Sequence, residues 1–206
     1  MKIAFLFAGQ GAQYVSMGKD FYDALPQVKK IYDSYEEIRD LCFKDEKNVL
    51  NQTAYAQKAM LLTGFCIANA LRDEKIEPEY CCGLSLGEYT ALTFSEVWNL
   101  SDALEIISNR GRIMQDALPL GTTKMAAVIG ASRETILKEL ENITSGVVEI
   151  ANYNCPGQIV ITGENKAVDD AILALKGKAR RCIPLNVSGA FHCSLLKDAS
   201  KQLRSV

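Results

Sequence analysis

One serine in this chain has the spacing that acyl chemistry uses: Gly83-Leu-Ser-Leu-Gly87-Glu88 is a Gly-x-Ser-x-Gly segment. Set between a strand and a helix, such a segment makes a tight turn that its glycines permit. It lifts the hydroxyl above the sheet, with helix-start N–H groups nearby. Ser85 is therefore the candidate nucleophile. A serine attacking a carbonyl needs a proton acceptor of near-neutral pKa. The chain holds one histidine, His192, which follows a Ser188-Gly189 turn and lies downstream of the serine, the chain order of Ser-hydrolase folds. His192 is the candidate base, and a structural role in that turn is the alternative. Asp169-Asp170 lie between the two, yet they read as solvated charges on the outer part of a helix. A dyad whose histidine is held by a neutral acceptor is expected.

Arg110 is the third residue of interest. It falls on the stripe Ala103, Ile107, Arg110, Met114, which is otherwise apolar, so its guanidinium should turn inward. A buried arginine needs a carboxylate partner. An internal salt bridge and a ligand carboxylate both satisfy that requirement from sequence alone. Arg112, on a neighbouring face, reads as surface. Gly9-Gln-Gly-Ala-Gln13 follows a strand, but it has neither the Gly-x-Gly-x-x-Gly spacing nor the Lys-Ser/Thr of a phosphate loop. Its better use is as a turn beside the elbow, where a backbone N–H can face an oxyanion.

These residues need a scaffold, and composition bounds it. The 206 residues are 48% hydrophobic and 23% charged, enough for one sizeable core, or a core with a smaller lobe. A formal net charge of −2 argues against a nucleic-acid or anionic-membrane surface, and Lys176-Gly-Lys-Ala-Arg-Arg181 reads as a solvated turn. Seven cysteines form an odd set without metal-ligand spacing, as expected of reduced thiols in the cytosol. The apolar start is too short for a signal peptide, and no segment is long enough to cross a membrane. A cytoplasmic protein with no metal and no bound cofactor is expected.

Ile3 to Ala8 reads as a buried strand, Pro26 to Cys42 as an amphipathic helix, and Ala54 to Lys75 as a long, largely buried helix. Tyr80–Cys82 gives a strand before the elbow, and Leu86 to Phe94 the helix after it. Ser101 is the expected N-cap of a helix running to about Leu118. This alternation favours a parallel α/β sheet. From Lys124 the elements shorten: strands Met125–Ile129, Val147–Tyr153, Gln158–Thr162 and Arg181–Leu185, with helices Ser132–Glu141 and Asn165–Lys176. Their order is β-α-β-β-α-β, the ferredoxin-like arrangement. The expected domains are thus 1–121 with 188–206 as the large lobe and 122–187 as an inserted small lobe.

Four motifs together resemble the malonyl-CoA:acyl-carrier-protein transacylase family. Phe7-Ala-Gly-Gln-Gly-Ala-Gln13 resembles its amino-terminal F-P-G-Q-G-S-Q signature, and Gly83-Leu-Ser-Leu-Gly-Glu-Tyr89 its G-H-S-x-G-E-Y elbow. Arg110-Gly-Arg-Ile-Met-Gln115 resembles the R-G-x-x-M-Q helix. Asn152-Tyr-Asn-Cys-Pro-Gly-Gln158, followed by Ala190-Phe-His192, resembles the small-lobe N-x-N-x-P-G-Q and the F-H segment. The resemblance implies an α/β-hydrolase-like, parallel-sheet large lobe with an inserted ferredoxin-like small lobe. It implies Ser85 as nucleophile, His192 as base, Arg110 as the binder of the malonyl carboxylate, and the backbone N–H groups of Gln10 and Leu86 as oxyanion hole. The implied reaction is ping-pong: malonyl passes from coenzyme A to Ser85 and then to the phosphopantetheine thiol of acyl carrier protein, in fatty acid or polyketide biosynthesis. Phe191 before His192 resembles the malonyl-selective members.

Two departures from the family pattern stand out. Leu84 occupies the position of the usual histidine before the nucleophile. Members also continue well past the F-H segment, supplying more of the large lobe and a glutamine that orients the histidine, whereas this sequence stops at Val206. The C-terminal part of the large lobe is therefore expected to be missing, which would expose apolar sheet surface and leave His192 less well held. Two alternatives follow: an inactive carrier-protein-binding remnant, and an esterase-type serine hydrolase that needs no interior arginine.

Overall fold

The structure is a computed structural model that describes residues 2–185, 187 and 189–206. Ser188, half of the turn expected before His192, lies outside the described residues. The chain forms two compact units, Met1–Arg112 with Val206 and Ile113–Ser205. Contacts group 113–121 and 189–205 with the second unit, although the sequence pattern places them with the large lobe. The reason is visible locally: the Ala190 N–H donates to Thr123 Oγ1 at 2.9 Å, the Ser194 N–H donates to Glu149 Oε2 at 2.7 Å, and Phe191 packs with Met125 and Val160.

In the first unit, β1 (Ala4–Phe7) and β2 (Tyr80–Gly83) pair in parallel, Ala4 opposite Tyr80 and Phe7 opposite Gly83. Side chains alternate along a strand, so each strand has an inner and an outer set. Phe5 and Phe7 turn inward, their tilted rings centred 5.6 and 6.1 Å from that of Phe94. The outer set is bare, with Leu6 78% and Tyr80 62% exposed. The core of this unit lies instead among the helices. α4 (Thr53–Asp73) buries Ala59, Leu61, Leu62 and Cys66, and α6 (Leu100–Asp116) contributes Ala103, Leu104 and Ile107 to the same cluster.

Several boundaries differ from the sequence expectation. The helix expected over Pro26–Cys42 is two helices, α2 (Pro26–Asp33) and α3 (Glu36–Phe43), after a short α1 (Lys19–Ala24) that the sequence pattern missed. The Ser34 hydroxyl donates to the Lys30 carbonyl, a side-chain bond that competes with helix continuation. Arg39 Nη1 then donates to Asp33 Oδ1 at 2.6 Å across the break. The cap of α6 is Asn99 rather than Ser101. Its Oδ1 accepts from the Asp102 N–H at 2.9 Å, and its Nδ2 donates back to Asp102 Oδ2 at 2.7 Å.

The second unit holds a four-stranded antiparallel sheet built from β3 (Thr123–Ile129), β4 (Val148–Cys155), β5 (Gln158–Glu164) and β6 (Arg181–Pro184), in the spatial order β4-β5-β3-β6. With α7 (Arg133–Leu140) after β3 and α8 (Asn165–Ala174) after β5, this is the ferredoxin-like topology. Ala126, Val128, Ile159 and Ile161 form its helix-side core with Ile136 and Val168. A final helix, α9 (Lys197–Leu203), was not anticipated. Among the described residues, no helix is long and apolar enough to cross a membrane.

Candidate active site

The elbow depends on close backbone approach. Between β2 and α5 (Leu86–Phe94), Ser85 adopts φ 56° and ψ −109°, a strained conformation for a residue with a side chain. Gly83 and Gly87 make that turn possible. A Cβ on Gly83 would lie 1.9 Å from the Gly87 carbonyl carbon, and one on Gly87 would lie 2.2 Å from the Phe7 oxygen. The start of α5 is thus pressed directly onto the end of β1. Leu86, 1% exposed, is the first helical residue, so its N–H is among the helix-start donors without an intrahelical acceptor. The Leu84 side chain, just before the serine, is half exposed.

Arg110 comes to the same place from α6. It is 7% exposed, and the apolar stripe that predicted this is buried at Ala103 and Ile107. Gly111 allows the close fit: a Cβ there would sit 2.9 Å from the Thr53 carbonyl oxygen, so α6 lies tightly on the first turn of α4. Arg110 Nη2 donates to Ser85 Oγ at 3.0 Å, and Nη1 donates to Gln57 Oε1 at 2.6 Å. The guanidinium carbon lies 5.2 Å from the centre of the Tyr89 ring. Burial pulls the guanidinium below the usual arginine range, while Tyr89 and then Glu88 favour its charge. Among the described residues, no carboxylate lies within ion-pair distance of Arg110. The internal salt bridge left open by the sequence is therefore not formed by them.

The Gly9–Gln13 loop is tied to the same helix, since Gln10 Nε2 donates to Thr53 Oγ1 at 3.1 Å. Gln10, Leu86, Ser85 and Arg110 thus all belong to the first unit, and His192 belongs to the second. His192 is exposed and adopts φ 59°, between the buried Phe191 and the half-buried Cys193. Asp169 pairs with Lys124 at 2.8 Å, and Asp170 accepts from Ser145 and Lys166, so both are engaged at the surface. Arg112 is likewise exposed, bonded to Asn109.

Sequence reasoning missed Gln57. It is 1% exposed on α4, among Ala56, Ala59, Leu61 and Leu62. The available signal was an amide near the start of a mostly apolar helix, where an unsatisfied buried polar group is costly and a partner must exist.

Comparison with known proteins gives the class first: residues 4–206 match the family model described as acyl transferase domain. The malonyl CoA-acyl carrier protein transacylase of Bacillus subtilis (strain 168) is 39% identical over 213 residues, covering 100% of this chain and 67% of its own length. The crystal structure of the malonyl CoA-acyl carrier protein transacylase from Clostridium perfringens superposes with a TM-score of 0.94 at 40% identity, over 100% of this chain and 67% of that one. A structure of a type II PKS acyl-carrier protein in complex with its malonyl-transacylase gives a TM-score of 0.94 at 33% identity, over 100% and 69%. The chain belongs to the malonyl CoA-acyl carrier protein transacylase family. It has the α/β fold of that family and spans about two-thirds of the length of the curated relatives it matches.

Proposed function

We propose that this chain transfers a malonyl group from malonyl-CoA to the phosphopantetheine thiol of acyl carrier protein in the cytoplasm, through an acyl-enzyme on Ser85. The observation that carries the reading is the buried Arg110, 3.0 Å from Ser85 Oγ with no carboxylate paired to it among the described residues. A cation in that position favours an acyl group that ends in a carboxylate. The names of the relatives support the same donor and acceptor.

In this reading the malonyl carboxylate takes the guanidinium donors and sets the thioester carbonyl over Ser85. His192 accepts the Ser85 proton as Oγ attacks. The N–H groups of Leu86 and Gln10 hold the oxyanion. Collapse breaks the C–S bond, and His192 returns its proton to the departing coenzyme A sulfur. The carrier thiol then gives its proton to His192, attacks the Ser85 ester, and the second collapse releases Ser85 with that proton restored.

Intact mass after incubation with malonyl-CoA tests the proposal. A malonyl adduct is expected on the parent chain and none on Ser85→Ala, and Arg110→Ala should lose malonyl loading. An adduct on Ser85→Ala, or undiminished loading in Arg110→Ala, refutes the assignment. No adduct on a folded parent sample would favour a carrier-protein-binding role without catalysis.

A further inference from the structure

We propose that the neutral amide of Gln57 is what keeps Arg110 selective for a carboxylate. The proposal rests on the reading of Arg110 as the carboxylate binder. The contact is short, 2.6 Å from Arg110 Nη1 to Gln57 Oε1, and both residues are buried, at 7% and 1% exposure. Arginine carries no acceptor, so only the carbonyl oxygen of the amide can face it, which fixes the orientation of Gln57.

A buried guanidinium is normally held by a carboxylate. Such a partner would position it equally well, but it would cancel its charge. Gln57 supplies the positioning without the cancellation. It accepts one N–H and fixes the plane of the guanidinium, while the Nη2 side faces Ser85 Oγ. The full positive charge then remains for an arriving anion, in a site dry enough to strengthen that attraction. Gln57 is thus a positioning residue that also sets specificity.

The test changes charge at constant shape. In a Ser85→Ala background, where no acyl-enzyme forms, the dissociation constants of malonyl-CoA and acetyl-CoA are measured by titration calorimetry. The two differ only in the acyl carboxylate. Adding Gln57→Glu should weaken malonyl-CoA by about 10- to 100-fold, the range of one charged hydrogen bond. Acetyl-CoA should move by less than about threefold, because its acyl group makes no use of the charge. Gln57→Met keeps the charge and loses the acceptor, so malonyl-CoA should weaken by about tenfold with some preference kept. Circular dichroism confirms folding, and if Gln57→Glu does not fold, Gln57→Met decides: a malonyl preference kept there supports the proposal, and a preference lost there overturns it.

A preserved malonyl preference in Gln57→Glu overturns the proposal. A parallel loss for both ligands also overturns it, since a merely structural role would do the same. Arg110→Ala in the same background separates the two readings. If that variant keeps the preference, the carboxylate assignment of Arg110 fails and this proposal with it. If the preference vanishes there but survives in Gln57→Glu, only the Gln57 proposal fails.

Discussion

Replacing Gly87 with alanine should disrupt the site from its foundation. The added Cβ would stand 2.2 Å from the Phe7 oxygen and 2.8 Å from the Ala8 oxygen, both backbone atoms that cannot swing aside. Ordinary contact begins near 3.4 Å, so the start of α5 must lift by roughly 1 Å from the end of β1. Overpacking of this kind costs about 3 kcal/mol or more, against a helix-propensity gain of at most about 1 kcal/mol. The net loss of about 2–4 kcal/mol corresponds to a fall in Tm of about 5–15 °C for a chain of this size. Gly64→Ala is the matched control. Gly64 is also helical, but its Cβ would meet only side chains, Thr90 at 3.0 Å and Phe7 at 3.5 Å, so it should stay within about 1 kcal/mol of the parent. The assay is thermal unfolding by circular dichroism, with malonyl loading measured alongside. A 1 Å displacement of the nucleophile should also cost about 100-fold in loading rate. If Gly87→Ala melts within about 2 °C of the parent, the tight packing of α5 on β1 is not what holds the elbow.

Two further outcomes follow from contacts away from the serine. Asn99→Ala should cost about 1 kcal/mol and about 2–4 °C in Tm, because its side chain caps α6, whereas the exposed Ser101→Ala should change stability by less than about 0.5 kcal/mol; equal effects would overturn the assignment of the cap. Asp33, which accepts from Tyr22 and Arg39, and Asp40, held by Arg39 and Lys44, both have carboxyls lowered from their ordinary range. A lowered folded pKa gives stability that is present above the unfolded value of about 4 and lost as pH falls through the folded one. Arg39→Ala should therefore flatten the acid limb of Tm against pH below about pH 4, and parallel curves for parent and variant would refute the link.

The parts of this site that the sequence made legible are those where a residue type conflicts with its surroundings. Arg110 was found because a guanidinium interrupts an apolar stripe, and Ser85 because two glycines bracket it at fixed distance. β3 and β5 of the second unit were legible as short apolar runs, since nearly every residue along each of them is buried. Gln57 was not found, because a helix apolar on nearly every side gives no direction to an amide within it. The break between α2 and α3 was hidden for a related reason. Val28, Tyr32 and Cys42 are all fully buried on either side of it, so hydrophobic spacing runs on while the backbone stops. Choosing between Asn99 and Ser101 needed an atomic distance, as both are good capping residues.

The bare outer face of the β1–β2 ribbon also bears on how the molecule behaves in bulk. Leu6 and Tyr80 face water beside strand edges that, among the described residues, have no further strand neighbour. Unpaired backbone beside apolar side chains is adhesive toward another copy of itself. A net charge of −2 provides little long-range repulsion to keep copies apart. Wherever that face stays uncovered, solutions of the protein are colloidally sticky, and light scattering climbs with concentration well before any unfolding begins.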